Sequence, residues 1–531
     1  MVDKDAFARE ALGQIPKILT LLDRNAHSTT YGCFDRNFWH YKIIDFPSGM
    51  AQEFVWPLAL VYALDMPGNV FHQSPAIREW ILAGMRYAAR SAHGDGSCDD
   101  YFPYEKAGGA AAFSLLACLE SYAVLGIEDS ELIRFFQTRA SWLAHHRESG
   151  QLTNHQALIV LCLLRLDEIT GGARWESAAM ERLALVLDWQ HEEGWFQEYE
   201  GCDPGYHTLT ISILAAIHER RPGARLHDAL VRAVRVASEF VHPDGSFGGE
   251  YASRNTYNFF PHGFEVFGRH FPEALAVNDR FLNGLRAGLG PCYADDHIIG
   301  HHTWNYLLAW RDFAPDRPDV APRKDARIAY PGAGLRIERR SSAELYLALN
   351  KGGVFKFFRD GALLVSDTQI SLQVRHGKKE RTAVAHLVGA SEVEETADGW
   401  VIRGEFGWAK HKAMTPFRLI ALRLIMLCGG RWHPDLVRKL LQRVLITGKA
   451  VAPFRFRREL KFEGNRLKVT DRVEADRWSD VVGAGIGPDQ TSIYVVMSRT
   501  FQRGQLTPWL SLTDRVRALK DGDALELTRE W

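Results

Sequence analysis

Six glycine-containing turns recur along the first three hundred residues, each followed by polar and aromatic residues and then by an apolar helical stretch. Their glycines lie between 44 and 64 residues apart, at Gly32, Gly96, Gly150, Gly194, Gly245 and Gly290. This interval is long enough for two helices and their connections. A repeat of that length indicates units that bury their apolar faces only against neighbouring units. If the units close into a ring, all six turns lie at one end and surround a common cavity.

The stretches between the turns have the 3.6-residue period of α-helices. Ala110–Val124, Ala157–Leu166 and Leu209–Ile217 are apolar around most of the helix surface, which is typical of the inner helices of a double ring. Ser130–His146 and Trp175–Trp189 carry more charge, and we predict that they are outer helices. Each polar turn then leads to the N-terminus of an inner helix, where free backbone N–H groups and the helix dipole favour an anion.

The pattern changes after Trp310. Residues 311–330 are rich in proline and charge and lack apolar periodicity, which predicts a linker. From residue 331 onward the two-residue period of strands takes over, with a helical insertion expected near residues 415–445. The predicted fold class is therefore multidomain. An (α/α)6-type toroid over residues 1–310 precedes a C-terminal antiparallel β-sandwich over residues 331–531.

Charge and composition exclude several classes of function. The 64 Lys and Arg residues are balanced by 65 Asp and Glu residues, so we expect no nucleic-acid partner. No segment reaches the roughly 18 apolar residues of a membrane span. Leu419–Cys428 comes closest, but it is short and contains Arg423, so no membrane insertion is expected.

The cysteines and the N-terminal segment give two further expectations. Seven cysteines without a CxxC pair argue against a disulfide framework or a zinc site, so no metal and no cofactor are expected. The first 25 residues lack the basic flank, apolar core and cleavage site of a signal peptide. A cytoplasmic location is therefore predicted, or a secreted one if a leader has been removed. The oligomeric state is left open.

Three segments carry candidate motifs, and together with the two predicted domains they resemble a known family. Asn154-His155-Gln156-Ala157 begins an inner helix, Gly194–Tyr199 leads to Gly205-Tyr206-His207, and Asn258–Gly263 follows the fifth turn. These segments and the toroid-plus-sandwich architecture resemble the heparinase II/III-like polysaccharide lyases. The resemblance implies that Asn154 contacts the substrate and that Tyr206 transfers the proton.

One part of the family pattern is missing. The family usually carries a Gly-His-x-His-x-Asp segment on an early strand of the sandwich. The corresponding stretch here, Asn350–Asp360, contains no histidine. A catalytic histidine must then come from the toroid, or the chemistry has diverged.

The residue types suit elimination from a uronic acid. Such a lyase removes the proton at C5 and expels the sugar linked through O4, so it needs donors for the carboxylate, a base and an acid. Asn154 is a neutral donor for the carboxylate, Tyr206 can move the proton, and Arg254 can pair with a carboxylate through two hydrogen bonds. The candidate bases are His155, His207 and His262. The further candidate substrate-binding residues lie in or after the turns: Asp100, Tyr101, Trp195, Glu198, Tyr199, Asn255, Tyr257 and His302. The predicted partner is an acidic polysaccharide or oligosaccharide.

Alternative interpretations remain for the residues and for the whole chain. Asn154 could simply cap its helix, and the histidines could be packed polar residues. A toroid can also host a glycoside hydrolase, which needs two carboxylic acids across the scissile bond. Candidate carboxylates are Asp99, Asp100, Glu105, Glu198, Asp203, Glu250 and Asp295. A third possibility is a non-catalytic carbohydrate-binding protein of polysaccharide synthesis, which the missing histidine and signal peptide favour.

Overall fold

The N-terminal part of the chain is helical. The computed structural model describes residues 3–148, 150–198, 201–293, 296–319, 322–377, 379–385, 391–409, 415–442, 450–487 and 500–531. Its first fourteen helices are α1 (Asp5–Leu12), α2 (Ile15–Leu21), α3 (Arg36–Trp39), α4 (Val55–Ala63), α5 (Pro75–Ser91), α6 (Gly108–Leu125), α7 (Ser130–His145), α8 (Thr153–Thr170), α9 (Glu176–Asp188), α10 (Pro204–Arg220), α11 (Ala224–Glu239), α12 (His262–Phe267), α13 (Glu273–Arg286) and α14 (Asp296–Arg311).

Six of these helices form the inner wall of a closed ring. α4, α6, α8, α10, α12 and α14 pack in that order, each against the next, and α14 packs back against α4. The outer wall consists of α5, α7, α9, α11 and α13, and α1 completes it by packing against α14. The inner helices α6, α8 and α10 are buried on nearly all sides, whereas α11 buries only one face. The predicted (α/α)6-type toroid is therefore confirmed.

The apolar surface of α6 follows from its position in the inner wall of the ring. Among the described residues it is the one helix long and apolar enough to cross a membrane by length and composition, and 78% of that window is buried inside the protein. An inner helix touches neighbours on every side, so it needs no polar face.

The C-terminal part consists of antiparallel sheets. A five-stranded sheet has the order β2-β3-β4-β5-β6, and a larger sheet has the order β15-β13-β7-β8-β10-β11-β12-β16, with β9 paired to β10. β1 pairs with β14. The strands are β1 (Cys292–Tyr293), β2 (Ala326–Tyr330), β3 (Leu335–Arg340), β4 (Ala343–Ala348), β5 (Val354–Arg359), β6 (Ala362–Asp367), β7 (Ser371–His376), β8 (Lys379–Val384), β9 (Ser391–Thr396), β10 (Gly399–Trp408), β11 (Val451–Glu463), β12 (Arg466–Ala475), β13 (Val481–Ile486), β14 (Thr500–Phe501), β15 (Leu510–Ser511) and β16 (Ala524–Glu530).

The five-stranded sheet lies between the ring and the larger sheet. On β4, Leu345 and Leu347 belong to the core shared with the larger sheet, whereas Tyr346 belongs to the core of the ring. This follows from the two-residue period of a strand, which sends neighbouring side chains to opposite faces. The Tyr346 hydroxyl also donates to the carbonyl of Val241 on the ring, at 3.3 Å. The sheet thus brings its own residues against the polar turns of the toroid.

The described residues of the C-terminal part also contain three further helices. α15 (Pro416–Cys428) and α16 (Pro434–Gln442) lie between β10 and β11, where a helical insertion was expected, and α17 (Thr513–Arg517) precedes β16. Within residues 311–330, α14 ends at Arg311 and β2 begins at Ala326. The division of the chain into domains at residues 310 and 331 stays a prediction.

Candidate active site

The third and fourth turns meet at the N-terminal end of α8. Leu152 pairs with Glu198 in an isolated antiparallel bridge, and the Thr153 hydroxyl donates to the carbonyl of Gln197 at 2.7 Å. α8 begins at Thr153 and has no side-chain cap, so Asn154 lies inside the first turn and does not serve as the N-cap. Its side chain is therefore available for contacts between the turns.

Asn154 and Glu198 form a buried pair. The Asn154 amide nitrogen donates to Glu198 Oε1 at 2.5 Å, and both side chains are fully buried. Among the described residues, none donates to Asn154 Oδ1. Burial raises the pKa of Glu198, although the nearby Arg254 charge opposes that rise. The buried surroundings of Glu198 therefore disfavour its ionised form.

Arg254 connects this pair to Tyr206. Its Nη1 atom lies 3.3 Å from Glu198 Oε2, and its guanidinium carbon lies 3.8 Å from the centroid of the Tyr206 ring. Asp203 holds both residues, because its side chain accepts from the backbone N–H of Tyr206 at 2.9 Å and from that of Arg254 at 3.1 Å. A phenol and a cation are thus fixed together at the start of α10.

Gly205 permits this arrangement. A Cβ atom at that position would lie 2.2 Å from Thr256 Oγ1 and 3.1 Å from Asn258 Cβ, too close for any side chain. The Asn258 Oδ1 atom accepts from the Tyr293 hydroxyl at 2.9 Å, so a second tyrosine reaches the same area from the sixth turn. Tyr293 was not predicted as a site residue, although it lies in one of the six turns.

Lys351, which lies in a 3-10 turn between β4 and β5, contacts the fifth turn of the ring. Its Nζ atom donates to the carbonyls of Glu250 at 2.6 Å and Ala252 at 3.0 Å, and to Asn255 Oδ1 at 2.6 Å. Burial lowers the pKa of Lys351 to about 8, although Glu250 and Asp203 oppose the change. The stretch that lacks the family's histidines therefore contributes a buried cation, which fixes the segment that carries Arg254.

Replacing Lys351 tests this support. We expect Lys351→Ala to lower the free energy of unfolding by about 1–3 kcal/mol, because two carbonyls and an amide oxygen lose their buried donor. Urea denaturation measures the change, with Lys461→Ala on β11 as an exposed lysine control. An unchanged free energy of unfolding in Lys351→Ala would show that the turn does not depend on this contact.

His155, Glu148 and Arg438 form a second polar cluster beside the one that contains Asn154 and Glu198. Its Nδ1 atom lies 2.7 Å from Glu148 Oε2, and Glu148 Oε1 accepts from Arg438 of α16 at 2.9 Å. Burial would raise the pKa of Glu148, but His155 and Arg438 lower it to about 2. Arg438 also lies 3.3 Å from Glu105 Oε1. His155 is half-buried, so it is the most accessible of the predicted bases.

Three predicted residues lie apart from this cluster. His207 donates to the carbonyl of Ala233 on α11 at 2.9 Å, and burial lowers its pKa to about 4. His262 lies 2.8 Å from Asp312, which follows the C-terminal end of α14 and so lies at the other end of the ring. Trp195 is buried and stacks on His191. All three side chains therefore contact residues outside the cluster around Asn154 and Glu198.

The remaining predicted residues are divided between buried and accessible positions. Tyr257 donates to Glu250, His302 is buried between Tyr293 and Tyr306, and the Asp100 carboxylate accepts from the Ser48 hydroxyl at 2.6 Å. Tyr101 is 50% exposed. Tyr199 and Asp295 lie outside the described residues. The structure therefore brings together Asn154, Glu198, Arg254 and Tyr206 through direct contacts. His155 and Asn255 adjoin Asn154 and Arg254 in the chain, and their side chains contact Glu148 and Lys351.

Comparison with known proteins supports the fold. No family model matches the chain, and no curated protein does either. Among solved structures, a xanthan lyase from Paenibacillus is 10% identical with a TM-score of 0.53, covering 90% of this chain and 46% of that chain. A mutant chondroitin AC lyase from Streptomyces coelicolor A3 is 11% identical with a TM-score of 0.51, covering 92% of this chain and 68% of that chain.

These comparisons define a class of fold. The chain spans less than half the length of the xanthan lyase that it matches. It has the helical toroid followed by antiparallel sheets that is found in polysaccharide lyases. At this level of identity the likeness concerns the fold, and it does not single out the heparinase II/III-like family.

Proposed function

We propose that the protein cleaves a uronic-acid-containing polysaccharide or oligosaccharide by β-elimination. The observation that carries this proposal is the chain of contacts from Asn154 through Glu198 and Arg254 to Tyr206, at the N-termini of two adjacent inner helices. The same fold occurs in structures of polysaccharide lyases, which supports the reaction class.

Tyr206 is the group that moves the proton. Its phenolate takes the proton from C5, the electrons of that bond form the C4–C5 double bond, and the bond between C4 and O4 breaks. The phenol then returns the proton to the leaving oxygen. The Arg254 cation, 3.8 Å from the ring centroid, stabilises the negative charge of the phenolate.

Arg254 and Asn154 neutralise the sugar carboxylate. Because burial raises the pKa of Glu198, this carboxylate takes up a proton more readily than an ordinary one, and protonation of Glu198 would release Arg254 to the sugar carboxylate. Asn154 has a second amide hydrogen, and it lies in the first turn of α8, where the helix dipole favours an anion. These donors would stabilise the charge that develops when C5 loses its proton.

His155 assists as a neighbouring donor or acceptor. With Nδ1 directed to Glu148, its Nε2 atom is the one left for a sugar hydroxyl. His207 and His262 have no part in this proposal, because their ring nitrogens contact groups of the fold.

A matched pair of substrates tests the requirement for a carboxylate. We expect a uronate polymer to be cleaved, and the same polymer after reduction of its carboxyl groups to be resistant. Reduction removes both the acidity of the C5 proton and the partner of Arg254. Ultraviolet absorbance of the unsaturated product and size-exclusion chromatography follow the reaction. Equal cleavage of both polymers would contradict elimination from a uronate.

Glycoside hydrolysis is the second candidate. Burial raises the pKa of Glu105 to about 7, although Arg438 opposes the rise and Asp100 adds to it, and a carboxyl group of that kind can act as a general acid. Glu105 itself contacts Arg438, and the other described turn carboxylates also have partners in the fold. Asp203 caps α10, and Glu250 contacts Tyr257 and Ser366. We therefore prefer elimination.

A further inference from the structure

The helical insertion between β10 and β11 exposes an unusual amount of apolar surface. Nine of the 21 large apolar side chains that are exposed among the described residues lie within residues 417–440. They are Phe417, Leu419, Ile420, Leu424, Ile425, Leu427, Trp432, Leu436 and Leu440. Contiguous apolar surface of this kind marks an interaction site.

α15 exposes apolar side chains around most of its circumference. Within this helix only Met426 is buried. A surface helix normally buries an apolar stripe and turns polar side chains to water. Here the neighbouring residues Leu424 and Ile425 are each more than half exposed, at 55% and 52%, although they point about 100° apart on the helix. An occupant that covers α15 must therefore contact it over a wide arc rather than along one narrow stripe.

The charges of the insertion are mainly basic. Arg423 and Arg438 turn back to Asp45, Glu105 and Glu148 of the ring. At the surface the insertion presents Arg418, Arg431 and Lys439, with Asp435 half-buried. The Arg431 guanidinium lies 4.3 Å from the Trp432 ring, and that ring is 62% exposed. The formal charge of −1 for the whole chain conceals this local excess.

We propose that this insertion docks the protein on a membrane surface that contains anionic phospholipid. Helices that bind at the bilayer interface place Leu, Phe and Trp among the acyl chains and Lys and Arg beside anionic headgroups. A fluid lipid layer surrounds a helix, whereas a protein partner covers one shaped face. The insertion enters the interface without spanning the bilayer, since α15 has 13 residues and α16 has 9.

Docking would also orient the candidate site. Arg438 of the insertion contacts Glu148, which in turn contacts His155. Arg423 contacts Asp45, which lies between the first turn and α4. The membrane-bound protein would therefore hold the turn end of its toroid near the bilayer.

Co-sedimentation with lipid vesicles tests the proposal. We expect the full chain to bind vesicles of phosphatidylcholine with phosphatidylglycerol, to bind pure phosphatidylcholine vesicles more weakly, and to lose affinity as salt increases. The triple variant Phe417→Ser, Ile420→Ser, Leu424→Ser should lose at least about tenfold in affinity, because it removes three apolar contacts with the acyl chains. The double variant Arg431→Gln, Lys439→Gln should lose about fivefold per charge on the anionic vesicles only.

The control variant changes exposed apolar residues elsewhere. Val70→Ser, Leu506→Ser, Leu510→Ser should bind as the wild type does, and circular dichroism should show the same fold for all variants. Absence of binding to any vesicle, or equal binding by the insertion variants, would overturn the proposal. A wild-type dimer that the Phe417, Ile420 and Leu424 substitutions convert to a monomer would also overturn it, and would identify a second copy as the occupant.

Discussion

Tyr206→Phe is expected to lower kcat by about a thousandfold while the protein stays folded and still binds its substrate. The substitution removes only the hydroxyl, and it leaves the ring that contacts Arg254 in place. Loss of a group that transfers a proton typically costs 10²–10⁴-fold in rate. Initial rates measure the effect, and calorimetry with the uronate polymer measures binding.

A matched tyrosine provides the control for this prediction. Tyr122 lies at the C-terminal end of α6, where its hydroxyl accepts from the backbone N–H of Asp129 at 3.1 Å. Tyr122→Phe should keep its kcat, because that end of the ring is far from the turns. Full activity in Tyr206→Phe would mean that another group moves the proton, and His155 would be the next residue to change.

Arg458→Met is expected to lower the free energy of unfolding by about 3–5 kcal/mol. Arg458 is fully buried in the β-sheets and contacts Asp471 at 2.6 Å, Asp367 at 3.0 Å and the carbonyl of Gly353 at 2.8 Å. Arg529 contacts both carboxylates as well. Removing one partner from such a network leaves buried charge without compensation. Guanidinium denaturation at neutral pH measures the loss.

The same network predicts a dependence of stability on pH. Burial would raise the pKa of Asp367, but Arg458 and Arg529 lower it from 3.8 to about 2. A carboxyl group whose pKa is lower in the folded state stabilises that state above its unfolded pKa. This contribution should be complete above about pH 4 and should be lost as the pH falls toward 2. In Arg458→Met the pKa of Asp367 in the folded state should rise toward its unfolded value, so this pH-dependent contribution should become smaller.

An exposed arginine on a neighbouring strand provides the comparison. Arg472 lies on β12 and pairs with Glu474 and Glu526 at the surface. Arg472→Met should leave the unfolding curve unchanged, because surface pairs contribute little. If Arg458→Met and Arg472→Met had the same stability, the buried network would not hold the sheets together.

The repeat of turns predicted the ring because its physical cause is local. The inner helices α6, α8 and α10 are buried on nearly all sides, and five of the six turn glycines have positive φ, such as Gly96 at +86° and Gly245 at +83°. Because parallel inner helices begin at the same end, the turns that carry Asn154, Glu198 and Arg254 were predicted to meet, and Glu198 does contact both of the other residues.

The positions of the histidines depend on details that the repeat does not contain. His207 follows Tyr206 on α10, and successive residues on a helix point about 100° apart. Tyr206 lies against Arg254, whereas His207 points to the carbonyl of Ala233 on the outer helix α11. His262 begins α12 after an extended segment, and its N–H donates to Asn305, in the middle of α14. α12 therefore begins at the level of the middle of α14, away from the turn end of the ring.

The contribution of the sheet could not be predicted from the sequence. Lys351 contacts residues about one hundred positions earlier in the chain, and no periodic pattern specifies which connection between strands faces which turn of the ring. Glu148 and Arg438 meet across 290 positions for the same reason. These long-range contacts depend on how the five-stranded sheet and the insertion pack on the ring.

The measurement that most directly tests the proposed reaction counts two kinds of new chain ends in one digest. Elimination from a uronate polymer makes one unsaturated end, measured by ultraviolet absorbance, for every new reducing end. We expect the two to appear at the same rate, in proportion to the amount of protein. Reducing ends without unsaturated ends would instead establish hydrolysis and make Glu105 the next residue to change. Neither kind of end on any uronate polymer would contradict catalysis and favour a binding protein.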